Sequence, residues 1–224
     1  MKNNRYTLRA LALLLGYPHA SLRAQLPVLL QAVDDEGALP SSRCAELRQL
    51  ATELLRHDPL EVEAQYVETF DRGRATSLHL FEHVHGDSRD RGPAMVDLLK
   101  TYEQAGLHLC LDELPDHLCV VLEFASTQPV AVAQEFLGEV AHIVAAIFSA
   151  LLQRGSPYAA ALAAVLELAG QRVQAVPITA DEPLDESWAE PEAFAGCSAR
   201  GQARPGETQP IHIVRKRTDA GVAA

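Results

Sequence analysis

Apolar residues recur at helical spacing along most of the chain, interrupted by glycine and proline at intervals that fit helix ends. Thr7–Leu15 predicts a short helix, stopped by Gly16 and Pro18. From Ser21 to Val33, Leu22, Leu26, Leu29, Leu30 and Val33 share a face, and Asp34-Asp-Glu-Gly37 ends the run. Ser41 or Ser42 caps a third helix that carries Leu47, Leu50, Leu54 and Leu55. Asp58-Pro59 starts a fourth helix through Tyr66 and Phe70, because proline in the first turn removes no helical hydrogen bond. After an irregular stretch, Pro93 opens a helix with Met95, Leu98, Leu99 and Tyr102, closed by Gly106. Pro115–Ser126 is the clearest amphipathic segment. At about 100° per residue, Asp116 and Glu123 share one face, opposite Leu118, Val121, Leu122 and Ala125. A long apolar helix runs from Pro129 to about Arg154, and a last one from Pro157 to Gly170.

These elements predict an all-α fold, a single-domain helical bundle over residues 1–175. From Val176 the pattern is lost: Pro177, Pro183, Pro191, Pro205 and Pro210 alternate with glycine-rich and charged patches. Residues 176–224 therefore predict a mobile C-terminal tail, with Trp188 and Phe194 as its apolar exceptions. Ile211-His-Ile-Val214 alternates like a strand, too little to build a sheet.

Composition narrows the function classes. A hydrophobic content of 48% fits a globular chain, and only 5% aromatic residues favours helix over sheet. The formal net charge of −11 repels phosphate backbones, which excludes nucleic acid as an expected partner and favours a basic or apolar polypeptide. Acidity is concentrated between Asp87 and Glu123, where Asp87, Asp90, Asp97, Glu103, Asp112, Glu113, Asp116 and Glu123 face only Arg89, Arg91 and Lys100. Cys44, Cys110, Cys119 and Cys197 form no C-x-x-C pair, against a disulfide framework or a thiolate zinc site. Lys2 and Arg5 before Leu11–Leu15 imitate a signal peptide, but the uncharged run is short and no small-residue cleavage pattern follows. Gln134, Glu135, Glu139 and His142 interrupt the long apolar helix, and no run reaches the roughly 20 apolar residues of a membrane span. The expectation is a cytoplasmic protein without a transmembrane segment.

The candidate chemistry sits between Gln65 and Leu98, where large apolar residues alternate with dense charge. His79 and His83 are four apart, His85 follows, and two Glu-x-x-His pairs occur, Glu82…His85 and Glu139…His142. Helical di-iron proteins combine two such pairs with a Glu from each of two further helices, for which Glu68 and Glu123 qualify. Gly86 directly after His85 argues against it by placing that pair at a helix end. Surface or internally satisfied histidines are the plainer reading. Asp71-Arg-Gly-Arg74 and Ser88-Arg-Asp-Arg-Gly92 read equally well as helix-terminal charge networks, and Arg215-Lys-Arg217 as a solvated basic end. No G-x-S-x-G, G-x-x-x-x-G-K or G-x-G-x-x-G motif supports a nucleophilic or nucleotide-dependent enzyme. The Asp116–Glu123 face fits a solvated surface or a groove for a basic amphipathic peptide helix. The residues by themselves reach an acidic helical protein that binds a peptide.

Three runs carry a resemblance. Tyr66-Val-Glu-Thr-Phe-Asp-Arg-Gly-Arg74, Ser77-Leu-His-Leu-Phe-Glu-His-Val-His-Gly-Asp-Ser-Arg-Asp-Arg-Gly92, and Glu113-Leu-Pro-Asp-His-Leu118 with Leu122-Glu-Phe124 resemble the respiratory nitrate reductase delta subunit, a family of molybdenum-cofactor assembly chaperones related to the redox-enzyme maturation chaperones. The resemblance covers roughly residues 5–170, about one domain. It implies a helical protein without catalysis or stably bound cofactor. Its implied partners are the N-terminal segment of the apo alpha subunit, or the alpha–beta complex, with cofactor-biosynthesis proteins as further partners. The client receives molybdopterin guanine dinucleotide and an iron–sulfur cluster before membrane attachment, and the chaperone is absent from the finished enzyme.

By the same resemblance, Glu113, Pro115, Asp116 and His117 match a client-facing acid-proline-acid loop, and Tyr66, Phe70, Asp71 and Arg72 a central motif. His79, Glu82, His83, His85 and Glu123 complete the expected client-binding set, with the groove between the Tyr66–Phe70 and Pro115–Phe124 helices. Protonation of His83, His85 or His117 near pH 6 is expected to change client affinity. Cys119 replaces a proline expected from the resemblance, which predicts a looser first helical turn. The competing expectations are a di-iron or other metal-binding protein, a structural subunit of an assembled complex, and a chaperone for another molybdoenzyme.

Overall fold

The computed structural model describes residues 3–86, 88–109 and 113–177. The expected tail beyond Pro177, with Trp188, Phe194 and Ile211–Val214, lies outside them. The described residues form α1 (Arg5–Leu14), α2 (Ala20–Glu36), α3 (Ser41–Arg56), α4 (Pro59–Phe70), α5 (Leu80–His85), α6 (Arg91–Gln104), α7 (Leu118–Thr127), α8 (Val130–Gln153) and α9 (Ala159–Leu168). A 3-10 turn spans Arg74–Thr76, and among the described residues there is no strand. The all-α expectation holds.

Local chemistry explains the boundaries. His19 Nδ1 accepts the Leu22 amide at 3.0 Å at the start of α2, and Asp58 Oδ1 accepts the Leu60 amide at 2.9 Å ahead of Pro59. The acids Asp34, Asp35 and Glu36, expected to end α2, form its last turn instead, with Gly37 at φ 61° as the stop. That extra turn has a use. Glu36 accepts the amides of Tyr6 (3.0 Å) and Thr7 (2.7 Å) and the Thr7 hydroxyl (2.7 Å), so a carboxylate 29 residues away satisfies the free N–H groups of α1.

The core is built on α1 and α9. Leu8, Leu11, Leu14 and Leu15 are fully enclosed where α1 packs along α7, α2 and α9. Every residue from Ala161 to Leu166 is buried, as expected of a helix apolar on all sides. Its alanines let α8 and α3 approach closely. Each enclosed leucine contributes about 1.5–3 kcal/mol of burial free energy.

Helix α8 corrects the reading of its sequence. It is 24 residues long with a mean hydropathy of 1.7 in its most apolar window, so by length and composition it does qualify as a possible membrane span. Its apolarity has a packing explanation: Leu137, Val144, Ile147 and Leu151 are buried against the neighbouring helices, while Gln134, Glu135, Glu139 and His142 lie outside the buried set.

Three further departures concern the central region. Leu80–His85, expected to be irregular, is helical. Helix α6 begins at Arg91, so Gly92 and Pro93 lie inside its first turn, where a missing N–H costs nothing. Helix α7 begins at Leu118, which leaves Pro115, Asp116 and His117 in the preceding turn.

Candidate functional site

That last shift dissolves the predicted acidic face. Asp116 is completely buried, whereas Glu123 is exposed on α7. The residues around Asp116 form a short antiparallel junction: the Leu118 amide donates to the Leu78 carbonyl at 2.8 Å, and the Leu80 amide donates to the Asp116 carbonyl at 3.1 Å. His79 and His117 therefore bridge opposite one another, with ring centroids 4.9 Å apart and edge-to-face. Two sequence motifs more than 30 residues apart thus meet along one line of backbone bonds.

Asp116 serves three groups at this junction. Its Oδ2 accepts the Phe81 amide at 3.0 Å, one of the free N–H groups at the start of α5. Its Oδ1 faces His79 Nδ1 at 3.5 Å, and neither atom has another partner. Arg91, from the first turn of α6, brings Nη2 within 4.0 Å of Oδ2 and 3.2 Å of Glu82 Oε1. Ser77 closes the ring: its hydroxyl donates to Glu82 Oε2 at 2.6 Å and accepts the His79 amide at 3.2 Å, while His83 Nε2 lies 2.9 Å from its carbonyl oxygen.

The two bridged histidines are driven apart electrostatically. The contact with the Asp116 carboxylate raises the His79 pKa above its ordinary value, against the opposing effect of burial. Burial and the neighbouring His79 charge hold His117 below its ordinary value. His117 Nδ1 also accepts the Cys119 amide at 3.3 Å and caps α7. A proline at 119 would have no such amide, so Cys119 here adds a bond to the first turn rather than loosening it.

The structure thus brings His79, Glu82, His83, Asp116 and His117 together, and adds Ser77 and Arg91, which the sequence reading did not single out as site residues. His85 is half-buried with its ring against Phe81 at 5.6 Å. Glu113 is exposed, and Pro115 is buried with its carbonyl accepting the Tyr102 hydroxyl at 2.8 Å. Asp71 and Arg72 lie apart on the surface beyond α4, where Arg72 pairs with Glu68 at 3.0 Å.

Tyr66 and Phe70 cannot form an open groove wall, because both are core residues. Their rings pack 4.8 Å apart, Phe70 and Tyr66 meet Tyr158 at 5.0 and 5.9 Å, and the Tyr66 hydroxyl donates to the Leu15 carbonyl at 2.8 Å. Tyr66 and Phe70 therefore supply no exposed wall to the predicted groove between α4 and α7.

A groove lies between the end of α6 and α7. A cavity of about 200 Å³ is lined by Tyr102, Leu107, Val120 and Phe124, with Arg9 and Glu123 among its polar residues. Tyr102 packs on Phe124 at 4.6 Å and reaches Pro115 with its hydroxyl, so the groove and the Asp116 junction are joined through α6 and the turn before α7. Helix α6 is anchored lightly: Tyr102 is its only fully buried residue, Met95, Leu98 and Leu99 are half-buried, and Val96 is exposed.

The di-iron arrangement does not assemble. Glu68 on α4, Glu123 on α7, and Glu139 and His142 on α8 are all exposed, and among the described residues no three His, Cys, Asp or Glu side chains are grouped to share a metal.

Comparisons with known proteins give the chain a family. The family model described as nitrate reductase delta subunit matches residues 36–164. The chain is 45% identical over 177 residues to the nitrate reductase molybdenum cofactor assembly chaperone NarJ of Escherichia coli (strain K12), covering 78% of this chain and 75% of that protein. It is 37% identical over 155 residues to the nitrate reductase-like protein NarX of Mycobacterium tuberculosis (strain CDC 1551 / Oshkosh), covering 69% of this chain and 23% of that longer protein. In fold it is similar to the crystal structure of an Archaeoglobus fulgidus chain assigned as a redox enzyme maturation protein, with a TM-score of 0.52, 20% identity, and coverage of 75% of this chain and 94% of that one. The chain belongs to the nitrate reductase delta subunit family.

Proposed function

We propose that this protein is an assembly chaperone for a molybdenum-containing nitrate reductase rather than an enzyme. It binds the N-terminal segment of the apo alpha subunit, alone or in the alpha–beta complex, in the cytoplasm. It keeps that subunit open to molybdopterin guanine dinucleotide and iron–sulfur insertion before membrane attachment, and leaves once the enzyme is complete. Residues 1–175 are the working body and 176–224 an appendage to it. Family membership supports the assembly role.

The observation that carries the binding mode is the groove between the end of α6 and α7. Its apolar side chains Tyr102, Leu107, Val120 and Phe124 suit the apolar face of a client helix, and Glu123 in its lining suits a lysine or arginine on that helix, with Arg9 facing the same space. At about 200 Å³ it is smaller than the roughly 300–1,000 Å³ usual for a cofactor-sized ligand, and matches one or two anchor side chains instead.

Calorimetry of the full chain with a synthetic peptide covering the client's N-terminal segment tests this reading. Val120→Asp should weaken binding strongly, and Glu123→Lys should weaken binding to a basic peptide. Unchanged affinity in both variants would remove the groove as the client site.

A further inference from the structure

Asp116 was expected to touch the client, yet no part of it reaches the surface. We propose that Asp116 is instead the positioning residue of the client groove: its buried negative charge holds the start of α5 and, through Arg91, the start of α6 against the turn that leads into α7. This rests on the groove reading above and assigns a setting mechanism to it.

The geometry supports a charge-dependent role over a purely backbone one. One amide bond, from Phe81, would be served equally well by a neutral amide oxygen. The other contacts would not. Oδ1 points at His79 Nδ1 across 3.5 Å with both atoms sealed from water, and Oδ2 is 4.0 Å from the Arg91 guanidinium. A buried carboxylate is costly unless positive groups compensate it. The groups in electrostatic contact with His79 are Asp116 before α7, Glu82 on α5, Arg91 on α6, and His117 across the bridge. Arg91 is shared with Glu82, so the first turn of α6 is tied to both α5 and the turn before α7.

The consequence for the groove follows from how α6 is held. Its N-terminal end is tied by Arg91, its C-terminal end by the Tyr102 hydroxyl on the Pro115 carbonyl, and between these it has no fully buried side chain. Pro115 and Asp116 are adjacent in the chain. Releasing Asp116 loosens both anchors at once, and with them the placement of Tyr102 opposite Val120 and Phe124.

The test combines client-peptide calorimetry on the full chain with nuclear magnetic resonance titration of the His79 ring. Asp116→Asn keeps an acceptor for Phe81 and removes the charge. It should weaken client binding by about two- to thirtyfold, the range of couplings transmitted through a packed network. It should also lower the pH at which His79 titrates, which general loosening of the fold would not do selectively. Arg91→Met, on a side chain already partly exposed, should weaken binding in the same direction. The double variant should lose less than the sum of the two, because both act on one ion pair.

Should Asp116→Asn fail to fold, Arg91→Met alone decides, since unchanged affinity in that variant overturns the proposal. Unchanged affinity and an unmoved His79 titration in Asp116→Asn overturn it equally. If Val120→Asp weakens binding while Arg91→Met and Asp116→Asn do not, the groove stands and the positioning role fails. If Val120→Asp itself has no effect, the groove reading is what has failed.

Discussion

The packing around α9 and the junction that joins α5, α6 and the turn before α7 are held together by different physics. Around α9 the packing is mainly apolar, with Ala161, Leu162, Ala163 and Ala164 fully enclosed and α1, α3 and α8 packed against it, and an ion pair, Glu167 with Arg43 of α3 at 3.0 Å, at its C-terminal end. Of α6 itself only Tyr102 is buried, and order there comes from a buried carboxylate, two bridged histidines and a shared arginine. Apolar packing is strong, non-directional and involves no titrating group. A polar junction is directional and tunable, and loses much of its value when a single partner is removed. On the proposed function, holding and then releasing a client would use both, a fixed frame and an adjustable wall.

The sharpest way to break the contrast is to damage the frame. Leu162→Ala should cost about 2–5 kcal/mol and lower Tm by about 5–15 °C in calorimetric unfolding. Client affinity should be unchanged at temperatures where the variant is folded. A variant that melts like the parent would show that α9 is not the structural centre.

Damage on the α6 side should cost less and affect binding more. Tyr102→Phe leaves the buried Pro115 carbonyl without its 2.8 Å donor, for about 1–3 kcal/mol in denaturant unfolding together with weaker client binding. Loss of stability without loss of affinity would detach Tyr102 from the groove. Gly86→Ala probes the end of α5: this residue adopts φ 52°, and an added Cβ would run into the Arg74 guanidinium. A cost of about 1–3 kcal/mol is expected, and a neutral substitution would mean that the turn after α5 relaxes freely.

The pH dependence is subtler and separates the two histidines. His79 has a raised pKa, so its contribution is fully present below about pH 6.5 and is lost as pH rises through its higher folded value. His117 has a lowered pKa, so it costs stability as pH falls below about 6.5 toward its lower folded value. Comparing His79→Gln with the parent by denaturant midpoint, the gap should widen from pH 8 to pH 6. A gap that does not vary with pH would show that His79 and Asp116 are not paired. At the small end, Glu68→Ala removes an exposed pair with Arg72 and should change stability by less than about 0.5 kcal/mol with no effect on client binding.

Much of the fold was legible because helix signals are local. Apolar spacing, Asp58-Pro59, Gly37 and Gly106 located most helices without knowledge of their neighbours. Leu80–His85 was missed because six residues between polar turns carry too little periodicity, and its start is satisfied by Asp116, 35 residues away. Helix α8 misled in the opposite direction: its few polar residues argued against a membrane span, although its length and hydropathy allow one.

The candidate site divides along the same line. The sequence determined which residues are chemically unusual, and the three motif runs identified the family. It could not determine which of those residues point outward. Tyr66 and Phe70 look like a binding wall until Tyr158 and Leu15 are seen to enclose them. Asp116 and Glu123 share a face only if the helix begins at Pro115, and the backbone bridge between His79 and His117 starts it at Leu118. Periodicity is a property of a segment, but burial is a property of what packs against it. Tertiary structure alone therefore turned an expected surface carboxylate into the buried centre of the junction.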